Sequence, residues 1–228
     1  MKIVCIQHVD FETPGVIEEW AKTNGHHFQV IKPYNGDHLA KVEEFDFIIS
    51  MGGPQSPRDA NHLSYIQDEI RLLREAVSTN KYVLGFCLGA QLIGEALGSK
   101  TLKSPEKEVG VFPITLTKEG REDPLFHGFP TSFSVIHWHN DMPGRTKEAI
   151  LLASSEGCPI QGYRYKPRVY GLQFHMEITK KGMEDLILHA SNDLTPSRFT
   201  QSQQELSKHN YEAIHQQMRV VLNRLINL

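Results

Sequence analysis

The stretch Tyr82-Val83-Leu84-Gly85-Phe86-Cys87-Leu88-Gly89 constrains the fold more than any other. An apolar run of strand length over residues 81–86 meets a helix-like run over 88–97 with nothing between them but Cys87. Gly98 then supplies the helix stop. The same alternation precedes it. Residues 2–7 read as a short buried strand, and Thr13-Pro14 as an N-cap with proline at the first helical position. Val16, Ile17, Trp20 and Ala21 share one helix face, and Gly25 ends that helix. Phe28, Val30 and Lys32 alternate into a second strand. Residues 45–51 form a dense apolar run, a central strand cut off by Gly52-Gly53-Pro54. Leu63, Ile66, Ile70, Leu73 and Val77 recur at helical spacing. Strands separated by helices in this order predict an α/β fold with a mostly parallel central sheet flanked by helices.

The second half changes character. Residues 109–117, 132–138, 149–153, 159–165 and 169–174 are strand candidates with short connections, predicting a small antiparallel excursion that returns to the main sheet. Residues 180–190 read as a helix. Residues 191–204 are polar and contain Pro196, which predicts a linker. Tyr211, Ile214, Met218, Val221, Leu222 and Leu225 then mark a C-terminal amphipathic helix. The expected organisation is one domain over residues 1–190, with 191–228 a linker and a helix packed on that same domain.

Composition narrows the function classes. The 228 residues carry a net charge of −3, with 24 Lys+Arg against 27 Asp+Glu, so no basic surface calls for nucleic acid. No apolar run approaches the length of a membrane span. The N-terminal stretch lacks the apolar core and cleavage site of a signal peptide. Three scattered cysteines, Cys5, Cys87 and Cys158, make neither a disulfide scaffold nor a Cys-x-x-Cys metal site. A cytoplasmic protein is expected.

The chemistry falls where strands meet turns. Gly85-Phe86-Cys87-Leu88-Gly89 has the form of a nucleophile elbow with cysteine in place of serine. The bend exposes one side chain at a helix N-terminus, where partial positive charge favours an anionic sulfur. The N–H of Leu88 would face a developing oxyanion. The plain alternative is a small core residue, the common fate of a cysteine. A thiolate nucleophile needs a base, and the base an orienting group. His175 and Glu177, two apart in Gln173-Phe174-His175-Met176-Glu177, point to the same side of extended backbone and fit those roles. Gly52-Gly53 offers a second oxyanion N–H, or a simple turn.

Taken together, Ser50-Met51-Gly52-Gly53-Pro54, Gly85-Phe86-Cys87-Leu88-Gly89-Ala90-Gln91 and Gln173-Phe174-His175-Met176-Glu177 resemble the signatures of the class I (Cys-His-Glu) glutamine amidotransferases. The resemblance covers about residues 1–190 and is nearest to stand-alone proteins similar to the amidotransferase domain of GMP synthase. It implies a flavodoxin-like fold and hydrolysis of the glutamine side-chain amide through a glutamyl thioester. It implies Cys87 as nucleophile, His175 as acid/base, Glu177 as its orienter, Gly53 and Leu88 as oxyanion donors, and Gln91 as a substrate contact. The family's Ser-His-Gly-Asp stretch, which grips the amino-acid end of the substrate, corresponds to His137-Trp138-His139-Asn140-Asp141. His139 and Asp141 match it, whereas Trp138 and Asn140 depart from it, and all four are candidate substrate-binding residues.

Nothing in the sequence calls for a cofactor. His137-x-His139 shows no third metal ligand in register, and Gly98-Ser99-Lys100-Thr101 lacks the phosphate-loop spacing. His26, His27, His62, His127, His189, His209 and His215 are assigned to solvated surfaces or helix ends. Three functions stay open. One is a glutaminase that passes ammonia to a separate synthase. Another is a free-standing hydrolase of γ-glutamyl amides or peptides. The third is a non-catalytic regulatory protein on the same fold.

Overall fold

The computed structural model describes residues 1–58 and 62–228. The strands are β1 (Lys2–Ile6), β2 (His27–Ile31), β3 (Phe47–Ser50), β4 (Tyr82–Phe86), β5 (Leu102–Leu116), β6 (Ser132–Met142), β7 (Ile150–Ser154), β8 (Gly162–Arg164), β9 (Val169–Leu172) and β10 (Phe199–Thr200). The helices are α1 (Val16–Thr23), α2 (Ser64–Ser78), α3 (Leu88–Ala96), α4 (Lys118–Glu122), α5 (Lys180–His189), α6 (Gln203–Lys208) and α7 (Glu212–Leu225). Five strands run parallel in the order β2-β1-β3-β4-β9. That is the flavodoxin-like order 2-1-3-4-5, in which ligands bind outside the carboxyl ends of the strands where the order reverses. The antiparallel excursion extends the sheet through β8, β7 and β5, with β6 paired to β5.

Two apolar layers explain the near-continuous hydrophobic runs of the parallel strands. One face packs Ile3, Cys5, Phe47, Ile49, Leu84 and Phe86 against the helices α1, α5 and α7. The other packs Val4, Ile6, Ile48 and Val83 against α2 and α3. A strand covered on both faces gains nothing from alternation, which is why the pattern reads as solid apolar stretches.

Two expectations need correction. Helix α1 does not begin at a Thr13 cap. Its N-cap is Gly15, at φ 53°, with no side-chain capping bond. A Cβ on Gly15 would lie 2.0 Å from the Glu177 carbonyl oxygen, and Val16 N–H donates to that oxygen at 3.1 Å. The helix is thus started by a tertiary contact with the segment that carries Glu177. Nor are residues 191–204 a linker. Residues 191–194 form a 3₁₀ turn, and β10 adds a parallel pair to β5 at Glu108 and Val109. Lys107 Nζ donates to the carbonyl oxygens of Asp193 and Thr195, and Phe199 meets Phe112 edge-on. The polar residues of this stretch serve backbone anchoring and helix capping, including a Ser202–Glu205 capping box.

Helix α7 closes the α1 side of the sheet with Met218, Val221, Leu222 and Leu225, all fully buried. Leu222→Ala is expected to lower unfolding free energy by roughly 2–5 kcal/mol, the range for truncating a buried leucine. A shift in the urea midpoint checks this. An unchanged midpoint would mean that α7 is a tethered appendage.

Candidate active site

The site gathers at the carboxyl ends of β1, β3, β4 and β9. Cys87 is the hinge between β4 and α3, with φ 48° and ψ −107°. For a residue with a Cβ this left-handed backbone costs about 1–3 kcal/mol and persists only where the surroundings enforce it. Here they do: a Cβ on Gly89 would lie 2.0 Å from the Ser50 carbonyl oxygen, and one on Gly85 2.5 Å from the Gly89 carbonyl carbon. Gly89 N–H also donates to the Met51 carbonyl at 3.1 Å. The two glycines let β3, β4 and the start of α3 interlock, and the interlock presses Cys87 out of the strand line.

Cys87 lines a cleft of roughly 250 Å³ together with Gly53, Leu88, Gln91, Trp138, Asn140 and Asp141. Its thiol donates to the Trp138 carbonyl at 3.6 Å. The other two thiols are buried away from the cleft, and burial pushes both up, Cys158 to about 11. His175 follows β9 and is tied to β6 by a bridge to Ile136. Its Nδ1 lies 2.6 Å from Glu177 Oε1, and the second Glu177 oxygen accepts Met176 N–H at 2.9 Å. Burial alone would lower the basicity of the imidazole. The Glu177 charge, with hydrogen bonds to the side chains of Cys87 and Glu177, outweighs it and holds His175 well above the usual histidine range. Cysteine, histidine and glutamate therefore meet, as the sequence pattern predicts.

The substrate-binding candidates divide into two groups. Trp138 and exposed Asn140 present themselves to the cleft, and the Trp138 indole N–H donates to Asp193 at 2.9 Å. Gln91 lines the cleft while its amide donates to Gln173 at 3.0 Å. Asp141 lines it with both oxygens engaged, by Ser56 Oγ at 2.6 Å and Arg58 at 3.2 Å. His139 reaches the cleft wall, but its ring turns into the protein. Nδ1 meets the Asp141 carbonyl at 3.1 Å, and Nε2 meets buried Glu108 at 3.1 Å.

Glu108 is the third group near His137 and His139 that the sequence does not put in register, because a bulge between Lys103 and Glu108 shifts β5 against β6. The Gln161 amide nitrogen already fills the middle of this cluster. It lies 2.7 Å from Glu108, 3.2 Å from His137 and 3.3 Å from His139. Burial drives His137 down to about 3, so its ring is neutral. His215 also departs from the expected surface role: it is buried and its Nε2–H donates to the Ile178 carbonyl at 2.9 Å.

Sequence reasoning missed Glu12. Its carboxyl lies against Gly52 and the His175 ring at the cleft edge. Burial raises it from 4.5 to about 7, opposed by the charges of His175 and His8. Only the Phe-Glu-Thr-Pro-Gly loop after β1 hints at it, and a loop glutamate is ordinary by itself.

The chain belongs to the class I glutamine amidotransferase family, whose model, Glutamine amidotransferase class-I, matches residues 10–193. It is 41% identical to a Salmonella typhimurium protein described as glutamine amidotransferase-like, YfeJ, over 99% of this chain and 97% of that one. It is 29% identical to a glutamine-hydrolyzing GMP synthase subunit from Methanococcus vannielii, over 70% of this chain and 78% of the other. Among solved structures, SMU.1228c superposes with a TM-score of 0.94 at 36% identity, covering 99% of this chain and 100% of that chain. A glutamine amidotransferase from Thermotoga maritima shares the fold, with a TM-score of 0.89 at 22% identity, covering 100% and 99%.

The raised Glu12 carboxyl sets a pH dependence. The folded state binds this proton more tightly than the unfolded state, so stability from the neutral form is present below pH 4.5 and is lost as pH rises to about 7. Glu12→Gln, which stays neutral, is expected to gain thermal stability over wild type across that window and to hold a constant lead above it. Melting curves at stepped pH check this, and a pH-independent difference would contradict it.

Proposed function

We propose that the protein hydrolyses the side-chain amide of a glutamyl substrate through a thioester on Cys87. The observation that carries this reading is the pairing of a thiol on an enforced left-handed elbow with an imidazole clamped by Glu177 at 2.6 Å. The Cys87 thiolate attacks the amide carbon, and the resulting oxyanion is held by the N–H groups of Gly53 and Leu88. His175, kept protonated by Glu177, gives its proton to the leaving nitrogen. The amide C–N bond breaks, and ammonia or an amine departs. Water then attacks the thioester while His175 takes its proton, releasing glutamate and the free thiol. Neither step calls on a metal or cofactor. Asp141 and Asn140 are suited to the α-amino-acid end of the substrate, with Gln91 beside the acyl chain.

Kinship with the GMP synthase component of Methanococcus vannielii supports a glutaminase whose ammonia goes to a separate synthase. A second reading, hydrolysis of γ-glutamyl amides or peptides, is favoured by the wall of Trp138, Phe11 and Leu186, which offers more apolar surface than a bare carboxamide needs. The non-catalytic alternative gains nothing from this site, where thiol, imidazole and carboxylate are all in place.

The test is ammonia or amine release from glutamine and from γ-glutamyl dipeptides by the isolated protein. Cys87→Ala is expected to abolish release. Glu177→Gln is expected to lower kcat by several powers of ten, by analogy with the roughly 10⁴ loss on altering the orienting carboxylate of a serine protease triad. Full turnover by Glu177→Gln would remove the carboxylate from the mechanism.

A further inference from the structure

His8, just past β1, is almost fully buried and takes no part in the thiol–imidazole pair. Its ring lies between two acceptors. Nδ1 is 3.1 Å from the Gly52 carbonyl oxygen, and Nε2 is 2.7 Å from Glu69 Oε2. Glu69 comes from α2 and is fully buried, and its other oxygen accepts Ser50 Oγ–H at 2.6 Å. With Glu69 ionised, both His8 contacts are satisfied when both ring nitrogens carry protons, which makes the ring an imidazolium against a buried carboxylate. Burial opposes that charge, but Glu69 outweighs it and keeps His8 above its ordinary range.

The partner that matters is Gly52. In a trans peptide the carbonyl and the following N–H point in opposite directions, and the described residues contain no cis bond. A hydrogen bond that fixes the Gly52 carbonyl therefore fixes the direction of the Gly53 N–H. Glycine on both sides of that peptide leaves it free to rotate without such a hold. The flanks are already pinned: Met51 N–H donates to Ile6, Gly89 N–H to Met51, and the Gln55 amide to the His8 carbonyl. Among the described residues, the bond from His8 is the one that reaches the Gly52 oxygen itself. Contact is also close, since a Cβ on Gly53 would lie 2.7 Å from His8 Cβ.

We propose that His8 and Glu69 form a clamp that holds the Gly52–Gly53 peptide with its N–H turned into the cleft, toward the oxygen that becomes negative when Cys87 attacks a carbonyl. They are positioning residues, acting through Gly53 and touching no substrate. Glu69 holds the proton on His8, His8 holds the Gly52 carbonyl, and Ser50 at the end of β3 holds Glu69. The inference rests on the reading of Gly53 as an oxyanion donor.

Two reagents separate the clamp from mere core packing. Acylation of Cys87 by p-nitrophenyl acetate passes through a tetrahedral oxyanion: sulfur bonds to the acetyl carbon and p-nitrophenolate leaves. Alkylation by iodoacetamide displaces iodide at a tetrahedral carbon and forms no oxyanion. In Glu69→Gln and His8→Gln the acylation rate is expected to fall at least about tenfold, approaching the 10²–10³ lost with a whole oxyanion donor. Alkylation should stay within about threefold, since it makes no demand on that donor. For any γ-glutamyl substrate turned over, the loss should appear in kcat with KM little changed. Parallel loss of acylation and alkylation would make the pair a packing element and overturn the clamp, as would unchanged acylation. Should His8→Gln fail to fold, Glu69→Gln alone carries the comparison. Failure of wild type to release ammonia or amine from any glutamyl amide would defeat the proposed hydrolysis, while the acylation-to-alkylation ratio would still decide the clamp.

Discussion

The backbone bend at Cys87 is the constraint on which the rest of the site depends. Its left-handed conformation is unfavourable for a residue with a Cβ. It is maintained because Gly85 and Gly89 let β4, the start of α3 and the end of β3 touch backbone to backbone, at separations no side chain would permit. The contact that bends the chain also places the Gly52-Gly53 turn. Gly89 packs on Ser50 and bonds to Met51, so the Gly52–Gly53 turn begins beside the sulfur. Displacing the elbow would move Cys87 and the Gly52-Gly53 turn apart.

Around that bend the protein places buried histidines beside buried carboxylates. His175 meets Glu177 at 2.6 Å, His8 meets Glu69 at 2.7 Å and His139 meets Glu108 at 3.1 Å. Each pair carries a desolvation cost, so such pairs are poor devices for stability. They do fix ring orientation. His175 faces the thiol, His8 holds the Gly52 carbonyl, and His139 holds the Asp141 carbonyl and with it the Asn140-Asp141 wall of the cleft. Glu12 lies near the rings of His175 and His8 at the cleft edge, and there burial outweighs their charges and drives it up to about 7.

The parallel half of the fold was legible because its central strands β1, β3 and β4 are almost entirely apolar and most of its turns are marked by glycine or proline. The meeting of Cys87, His175 and Glu177 was legible for a related reason: each lies within a short motif at the end of an apolar run. What stayed hidden depends on long-range contact. His8 and Glu69 are 61 residues apart, and no local pattern joins them. Helix α1 starts at Gly15 because Glu177 approaches it, so Thr13-Pro14 gave the wrong cap. Residues 191–204 looked like a linker because most of their side chains are polar and exposed, while the backbone pairing of β10 with β5 and the contacts of Asp193 and Gln201 that hold them leave no mark in composition. Glu108 was out of register with His137 and His139 until the bulge in β5 brought it there.

Covalent catalysis at Cys87 is open to a direct measurement: the mass of the protein after rapid acid quenching during incubation with glutamine or a γ-glutamyl amide, followed by peptide mapping. A glutamyl adduct is expected on the peptide that carries Cys87. It should be labile to hydroxylamine as a thioester is, and be absent in Cys87→Ala. An adduct mapped to Cys5 or Cys158, or turnover that survives Cys87→Ala, would contradict the proposed chemistry.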